Sequence, residues 1–196
     1  MQKPNVYLIG PRAAGKSKTG KRLHKFLGYQ LLSTDTLICY ESGLTIPEYV
    51  EKEGWAAFRD LEYQVLQKAS RTKNALIDCG GGILIDLDEQ GNEIYSERKA
   101  NIIKEGFVIF LNANHDYIIA KVESDPARPS LSDRVSFANL LKRREPYYKK
   151  AAKLQINTTG RRGKDVAVLA LPHLEKAGFD IVRQYRSDPR ALSLPF

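Results

Sequence analysis

Cysteine is scarce: in 196 residues only Cys39 and Cys79 occur. Two thiols cannot build a four-thiolate metal site or a disulfide scaffold, and they read as reduced, packed side chains. His24, His115 and His173 are scattered and fit no metal-binding spacing. No apolar run approaches the ~20 residues of a membrane-crossing helix. The first apolar run follows Met1-Gln2-Lys3-Pro4-Asn5 and is only four residues long, too short for the core of a secretion signal. A cytoplasmic protein without a membrane partner is expected. Repeats, low-complexity tracts and Pro/Gly/Ser-rich linkers are also missing, so one domain is expected from this length.

What is present is an ordinary globular composition, 42% hydrophobic and 28% charged. The charge is unevenly placed. Residues 141–196 hold 13 Lys and Arg against 5 Asp and Glu, and the net +8 lies wholly there. Such a stretch can attract phosphates, but a solvated basic face explains it equally well, and no nucleic-acid partner is expected. The apolar runs are short and β-branched: Val6–Ile9, Ala75–Ile77, Phe107–Leu111 and Leu154–Ile156. They read as buried strands. Helical spacing occupies Lys16–Leu27, Ile46–Glu53 (with Pro47 in its first turn), Gly54–Ser70, Tyr117–Ser124, Val135–Lys153 and Lys164–Ala177. This alternation predicts an α/β fold, three layers with a parallel, five-stranded sheet. The polar stretch Asp86–Ser96 reads as a surface excursion.

Gly10-Pro11-Arg12-Ala13-Ala14-Gly15-Lys16-Ser17 fills every fixed position of G-x-x-x-x-G-K-[ST], between a strand and a helix. Small residues let successive N–H groups turn toward a phosphate, and the helix adds its positive end. Lys16 reaches the β- and γ-phosphates, and the Ser17 hydroxyl suits Mg²⁺. The expected ATP-binding set is Gly10, Ala13, Ala14, Gly15, Lys16, Ser17 and Lys18. The chain is too short for a motor and lacks the Asn-Lys-x-Asp segment of a GTPase. A small-molecule or nucleotide kinase remains.

Further along come Leu32-Ser33-Thr34-Asp35, Phe58-Arg59-Asp60-Leu61-Glu62, Asp78-Cys79-Gly80-Gly81-Gly82, Ala127-Arg128-Pro129, Arg144-Glu145-Pro146-Tyr147-Tyr148 and Asn157-Thr158-Thr159-Gly160. This order resembles the shikimate kinase family over about residues 5–175. The resemblance implies a P-loop kinase domain over residues 1–180, with the acceptor region near 33–62, a mobile lid near 120–134 and a tail at 181–196. It implies transfer of the γ-phosphoryl group of ATP to the 3-hydroxyl of shikimate, with Mg²⁺, by a monomer. Asp35 would hold and activate the acceptor hydroxyl. Arg59, steadied by Glu62 three residues on, and Arg144 would clamp the acceptor carboxylate. Gly80, Gly81 and Gly82 would bring backbone N–H groups to the hydroxyls. Arg128 would swing onto the transferred phosphoryl group. Lys121, where the family usually has Arg, and Thr158 would lie at the adenine.

Two departures stand out. The family usually has Asp-x-Asp where this chain has Ser33-Thr34-Asp35, and Asp78 is the expected replacement carboxylate, acting on Mg²⁺ through water. About ten residues are added after Gly82. Two rival readings stay open: another small-acceptor kinase, for gluconate or a nucleoside monophosphate, and a non-catalytic ATP-binding regulatory module.

Overall fold

The computed structural model describes residues 3–123 and 137–182. Its strands are β1 (Val6–Ile9), β2 (Gln30–Ser33), β3 (Ala75–Asp78), β4 (Ile85–Leu87), β5 (Glu93–Tyr95), β6 (Phe107–Asn112) and β7 (Leu154–Asn157). Five of them form one parallel sheet in the order β2-β3-β1-β6-β7, as the alternating pattern predicts. The helices are α1 (Lys16–Leu27), α2 (Thr34–Ser42), α3 (Ile46–Ser70), α4 (Glu97–Lys104), α5 (His115–Glu123), α6 (Phe137–Ala151) and α7 (Gly163–Lys176).

The three layers follow from strand alternation. Val6 and Leu8 point to one face and pack with Leu23 and Phe26 of α1 and Val166 and Leu174 of α7. Tyr7 and Ile9 point to the other and pack with Leu66 of α3, Ile103 of α4 and Tyr148 of α6. Both faces are covered, so the strands read as unbroken apolar runs. Each fully buried Leu or Ile adds about 1.5–3 kcal/mol. Phe179 and Ile181 join the α1/α7 core, and Val182 N donates to Phe26 O at 2.8 Å. The packed body thus includes residues 181 and 182; the rest of the expected tail, 183–196, lies outside the described residues.

Three elements differ from or refine the sequence reading. Ile46–Glu53 and Gly54–Ser70 join into α3, which starts at a Thr45/Glu48 capping box and kinks where Gly54 turns non-helical (φ 83, ψ 168). The nine-residue α2 follows directly from β2, with Ser33 as its N-cap. The expected surface excursion takes the form of an antiparallel hairpin, β4–β5, followed by α4. Asp86 pins it: Ser96 Oγ donates to Asp86 at 2.7 Å, and Arg98 donates to Asp86 from two nitrogens at 2.9 Å and to Asp60 of α3 at 2.7 Å.

Gly54 occupies a backbone region open almost only to glycine, and no atom crowds a Cβ placed there. Gly54→Ala is therefore expected to cost about 1–3 kcal/mol through strain alone, measured by urea unfolding, with no loss of buried contacts.

Candidate active site

The carboxyl ends of β1, β2 and β3 open on one cavity of about 660 Å³. At one end lies the loop after β1. Gly10 (φ 140), Ala13 (φ 64) and Gly15 (φ 90) carry its turns, and a Cβ on Gly10 would overlap the Leu111 carbonyl oxygen. Ala14 is buried in the core and anchors the loop. Gly15 caps α1 without any side-chain hydrogen bond, which leaves the helix N-terminus open to an anion. Lys16 Nζ donates to the Gly10 and Pro11 carbonyls, both at 3.0 Å. Ser17 and Lys18 are exposed and line the cavity, as does Lys121, which rests on the Tyr117 ring at 4.2 Å.

Thr158 is not brought to the cavity. Its buried hydroxyl shares one proton between the carbonyls of Ala14 (2.9 Å) and Asn112 (3.1 Å). Through the Ala14 carbonyl it braces the phosphate loop. Arg128 and residues 124–134 of the expected lid lie outside the described residues.

The other end of the cavity is built around a buried carboxylate. Glu62 Oε2 accepts from Arg59 Nη1 at 3.1 Å and from Lys99 Nζ at 2.8 Å. All three are buried, Lys99 completely. Lys99 also donates to the Ile85 carbonyl. The Arg59 guanidinium lies over Trp55 (5.4 Å) and Phe58 (5.1 Å). Its buried Nε has no hydrogen-bond partner among the described residues, a cost carried by a group held for another purpose. On α6, Arg144 lines the cavity and Tyr148 donates to the Gly81 carbonyl. Burial pushes the Tyr148 hydroxyl up to about 12, which keeps it a donor.

Gly80 differs from the expectation, and Gly80 and Gly82 also serve packing. A Cβ on Gly80 would overlap Asp35 Oδ1, and one on Gly82 would overlap the Arg59 guanidinium. Gly80 N–H is already given to Thr34 Oγ1 at 2.8 Å, so it is not free for an acceptor. Gly80 and Gly82 thus make room for the side chains of Asp35 and Arg59, and Gly81 faces the backbone of the phosphate loop.

Asp35, in the first turn of α2, stands exposed to the cavity yet is hemmed in by protein. Desolvation raises its pKa above the ordinary 3.8, Lys16 and Arg59 pull it down, and Glu62 and Asp78 push it up. Parallel register sets Asp78 directly beside Ser33. Ser33 Oγ accepts from Thr36 N at 3.3 Å, so it serves as a helix cap where the family usually has a carboxylate. Asp78, like Ser17, lines the cavity. Cys79 is buried, and burial pushes its thiol well up, so it is an inert packing residue.

Lys99, Tyr148 and the hairpin's Glu93 escaped the sequence reading as functional groups. Tyr148 ends the Arg-x-Pro-x-Tyr pattern, which marked its place but not its role. For Lys99 and Glu93, no local signal existed.

A sequence model of the shikimate kinase family matches residues 12–174. The chain belongs to the shikimate kinase family. It is 43% identical over 157 residues to the shikimate kinase of Leptospira biflexa, covering 79% of this chain and 87% of that one. It is 38% identical over 175 residues to that of Leptospira borgpetersenii, covering 87% and 98%. A solved structure, the shikimate kinase of Acinetobacter baumannii in complex with shikimate, superimposes with a TM-score of 0.74 at 31% identity, covering 89% of this chain and 95% of that one. Family membership makes the chain an ATP-dependent kinase with an alcohol acceptor.

Lys99→Met removes one cation from a buried carboxylate and is expected to destabilise the fold by about 3–5 kcal/mol, read by urea unfolding. A Cβ on Gly82 would overlap the Arg59 guanidinium, which is buried and bound to Glu62. Gly82→Ala is therefore expected to lower the melting temperature and to raise the acceptor KM about tenfold or more, as displaced positioning groups do, with the ATP KM unaltered.

Proposed function

We propose that the cavity binds ATP over the N-terminus of α1 and shikimate between Arg59, Arg144 and Asp35, and transfers the γ-phosphoryl group to the 3-hydroxyl of shikimate. The observation that carries this reading is the convergence on one cavity of the phosphate loop, the Asp35 carboxylate and two braced arginines. A planar guanidinium pairs with a carboxylate through two parallel N–H bonds, which suits an anionic, hydroxylated acceptor better than a neutral sugar.

The chemistry asks little covalent work of the protein. Lys16 moves from its two loop carbonyls to the phosphates and offsets charge as the phosphoryl group transfers. Backbone N–H groups at the start of α1 hold the β-phosphate side. Asp35 accepts the proton of the attacking hydroxyl. Arg59 and Arg144 fix the acceptor so that this hydroxyl faces the phosphorus, converting a bimolecular step into one of alignment. Arg128 is assigned to the phosphoryl group on the family resemblance alone.

The residues present fit Mg²⁺. Ser17 offers one hydroxyl ligand, and Asp78 can hold a metal-bound water. Among the described residues no group of three His, Cys, Asp or Glu forms a protein cage for a metal, as expected for an ion carried largely by phosphates and water. Bound there, Mg²⁺ supplies charge neutralisation across the phosphate oxygens. No helix among the described residues is long and apolar enough to cross a membrane; that the chain acts on small molecules as a cytoplasmic monomer is carried over from the family resemblance.

Release of ADP, measured with ATP and Mg²⁺ and with shikimate, gluconate or AMP, tests the assignment. Stimulation by shikimate alone is expected. Stimulation by gluconate or AMP instead would replace the acceptor, and no stimulation by any would sink the enzymatic reading.

Asp35 gives a pH prediction. Its carboxyl must be ionised to take a proton, so kcat/KM falls on the acid side with a midpoint above the ordinary 3.8. Asp35→Asn is expected to lower kcat about 10²–10⁴-fold. The sign for stability is opposite. A raised folded pKa means that ionising Asp35 costs the folded state, a penalty absent below the unfolded value and complete above the folded one. Asp35→Asn should therefore raise Tm at neutral pH and lose that advantage on acidification below the ordinary carboxylate range, as calorimetry would report.

A further inference from the structure

The two arginines at the acceptor end are built alike. Arg59 shares the carboxylate of Glu62 with Lys99, and Arg144 shares the carboxylate of Glu93 with Arg143. In each case one carboxylate lies between two cations, so the carboxylate that holds the arginine is offset by a second cation as well. The holders differ in origin. Glu62 sits on the same helix as Arg59. Glu93 comes from β5, in the hairpin that follows Gly82, and its side chain is 14% exposed.

The bonds around Arg144 are directional. Glu93 accepts from Arg144 Nε at 3.1 Å and from Arg144 Nη2, and it accepts from Arg143 Nη2 at 2.9 Å. The Nε/Nη2 edge of Arg144 is thereby closed. Nη1 lies on the side of the Gly81 carbonyl, 3.5 Å away, and Gly81 lines the cavity. A guanidinium is planar, so a carboxylate on one edge fixes the plane and leaves a second edge for another. The hairpin that delivers Glu93 is itself fixed, because Asp86 is bound by Ser96 and Arg98 and lies 3.3 Å from the Lys99 ammonium.

We propose that Glu93 is a positioning residue for acceptor recognition. It holds Arg144 by the Nε/Nη2 edge so that the opposite edge meets the acceptor carboxylate, while Arg143 offsets the charge of Glu93 and keeps the holder from repelling that carboxylate. The β4–β5 hairpin is then a specificity element of the site. This rests on the reading of the cavity as the site for shikimate.

The experiment is steady-state kinetics and direct shikimate binding on the full chain, wild type first. A wild type that turns over no shikimate would overturn the reading of the site itself. Given turnover, Glu93→Gln, which keeps shape and removes charge, is expected to raise the KM and Kd for shikimate about ten- to hundredfold. The KM for ATP and kcat should stay within about threefold. With the methyl ester of shikimate, which lacks the carboxylate charge, the same substitution should cost less than about threefold. On an Arg144→Ala background it should add nothing. Glu93→Asp, which keeps the charge but draws it back, should give an intermediate rise, and it carries the test if the Gln variant does not fold. Equal losses on acid and ester would overturn the proposal, as would a lower shikimate KM in Glu93→Gln, the outcome expected if Glu93 merely competed with the acceptor.

Discussion

A carboxylate taken out of water must be offset by cations in good geometry, or it will not stay ionised. Much of the acceptor end depends on how Glu62 meets that demand. Its two partners arrive from different places: Arg59 from one turn earlier on α3, and Lys99 from α4 across the cavity wall. The same bonds that offset the charge also aim Arg59. Because Lys99 is fully enclosed, α4 has to dock before the trio is complete. The stretch between β3 and β6 thus supports this wall of the cavity through Lys99.

The parallel sheet supplies the remaining order. Strand ends that neighbour one another in register bring Ser33, Asp78 and the loop after β1 to one edge, where α/β sheets commonly bind ligands. At that edge, space is as limiting as charge. The glycines after Asp78 leave gaps that Asp35 and Arg59 fill. Thr158 ties the end of β7 to the phosphate loop, so the far edge of the sheet also steadies the nucleotide side. Rigidity of this kind suits a reaction whose catalysis is mostly alignment.

Function and stability pull against each other at Asp35. Its surroundings disfavour the ionised form that the proposed proton acceptance requires, and among the described residues Lys16 and Arg59 relieve it. A residue kept under such conditions is a usual mark of chemistry. Ser33 shows the opposite compromise: a neutral hydroxyl there caps α2 and adds no further negative charge beside Asp35 and Asp78.

Read alone, the amino-acid chain determined what depends on near neighbours. The phosphate loop is eight consecutive residues whose small side chains and lysine act through local backbone, so it is plain without a fold. Continuous apolar runs announced the buried strands, and the spacing of Arg59 and Glu62 announced their pairing on one helical face. Tertiary structure decided what depends on distance. Lys99 meets Glu62 across 37 residues and Glu93 meets Arg144 across 51. No periodicity records such pairs, and a buried lysine interrupts the apolar stripe that would have revealed α4. The glycines and Thr158 were visible as residues, but what they serve was not, because a glycine's purpose is the side chain that fills its gap and a hydroxyl's is the carbonyl it reaches.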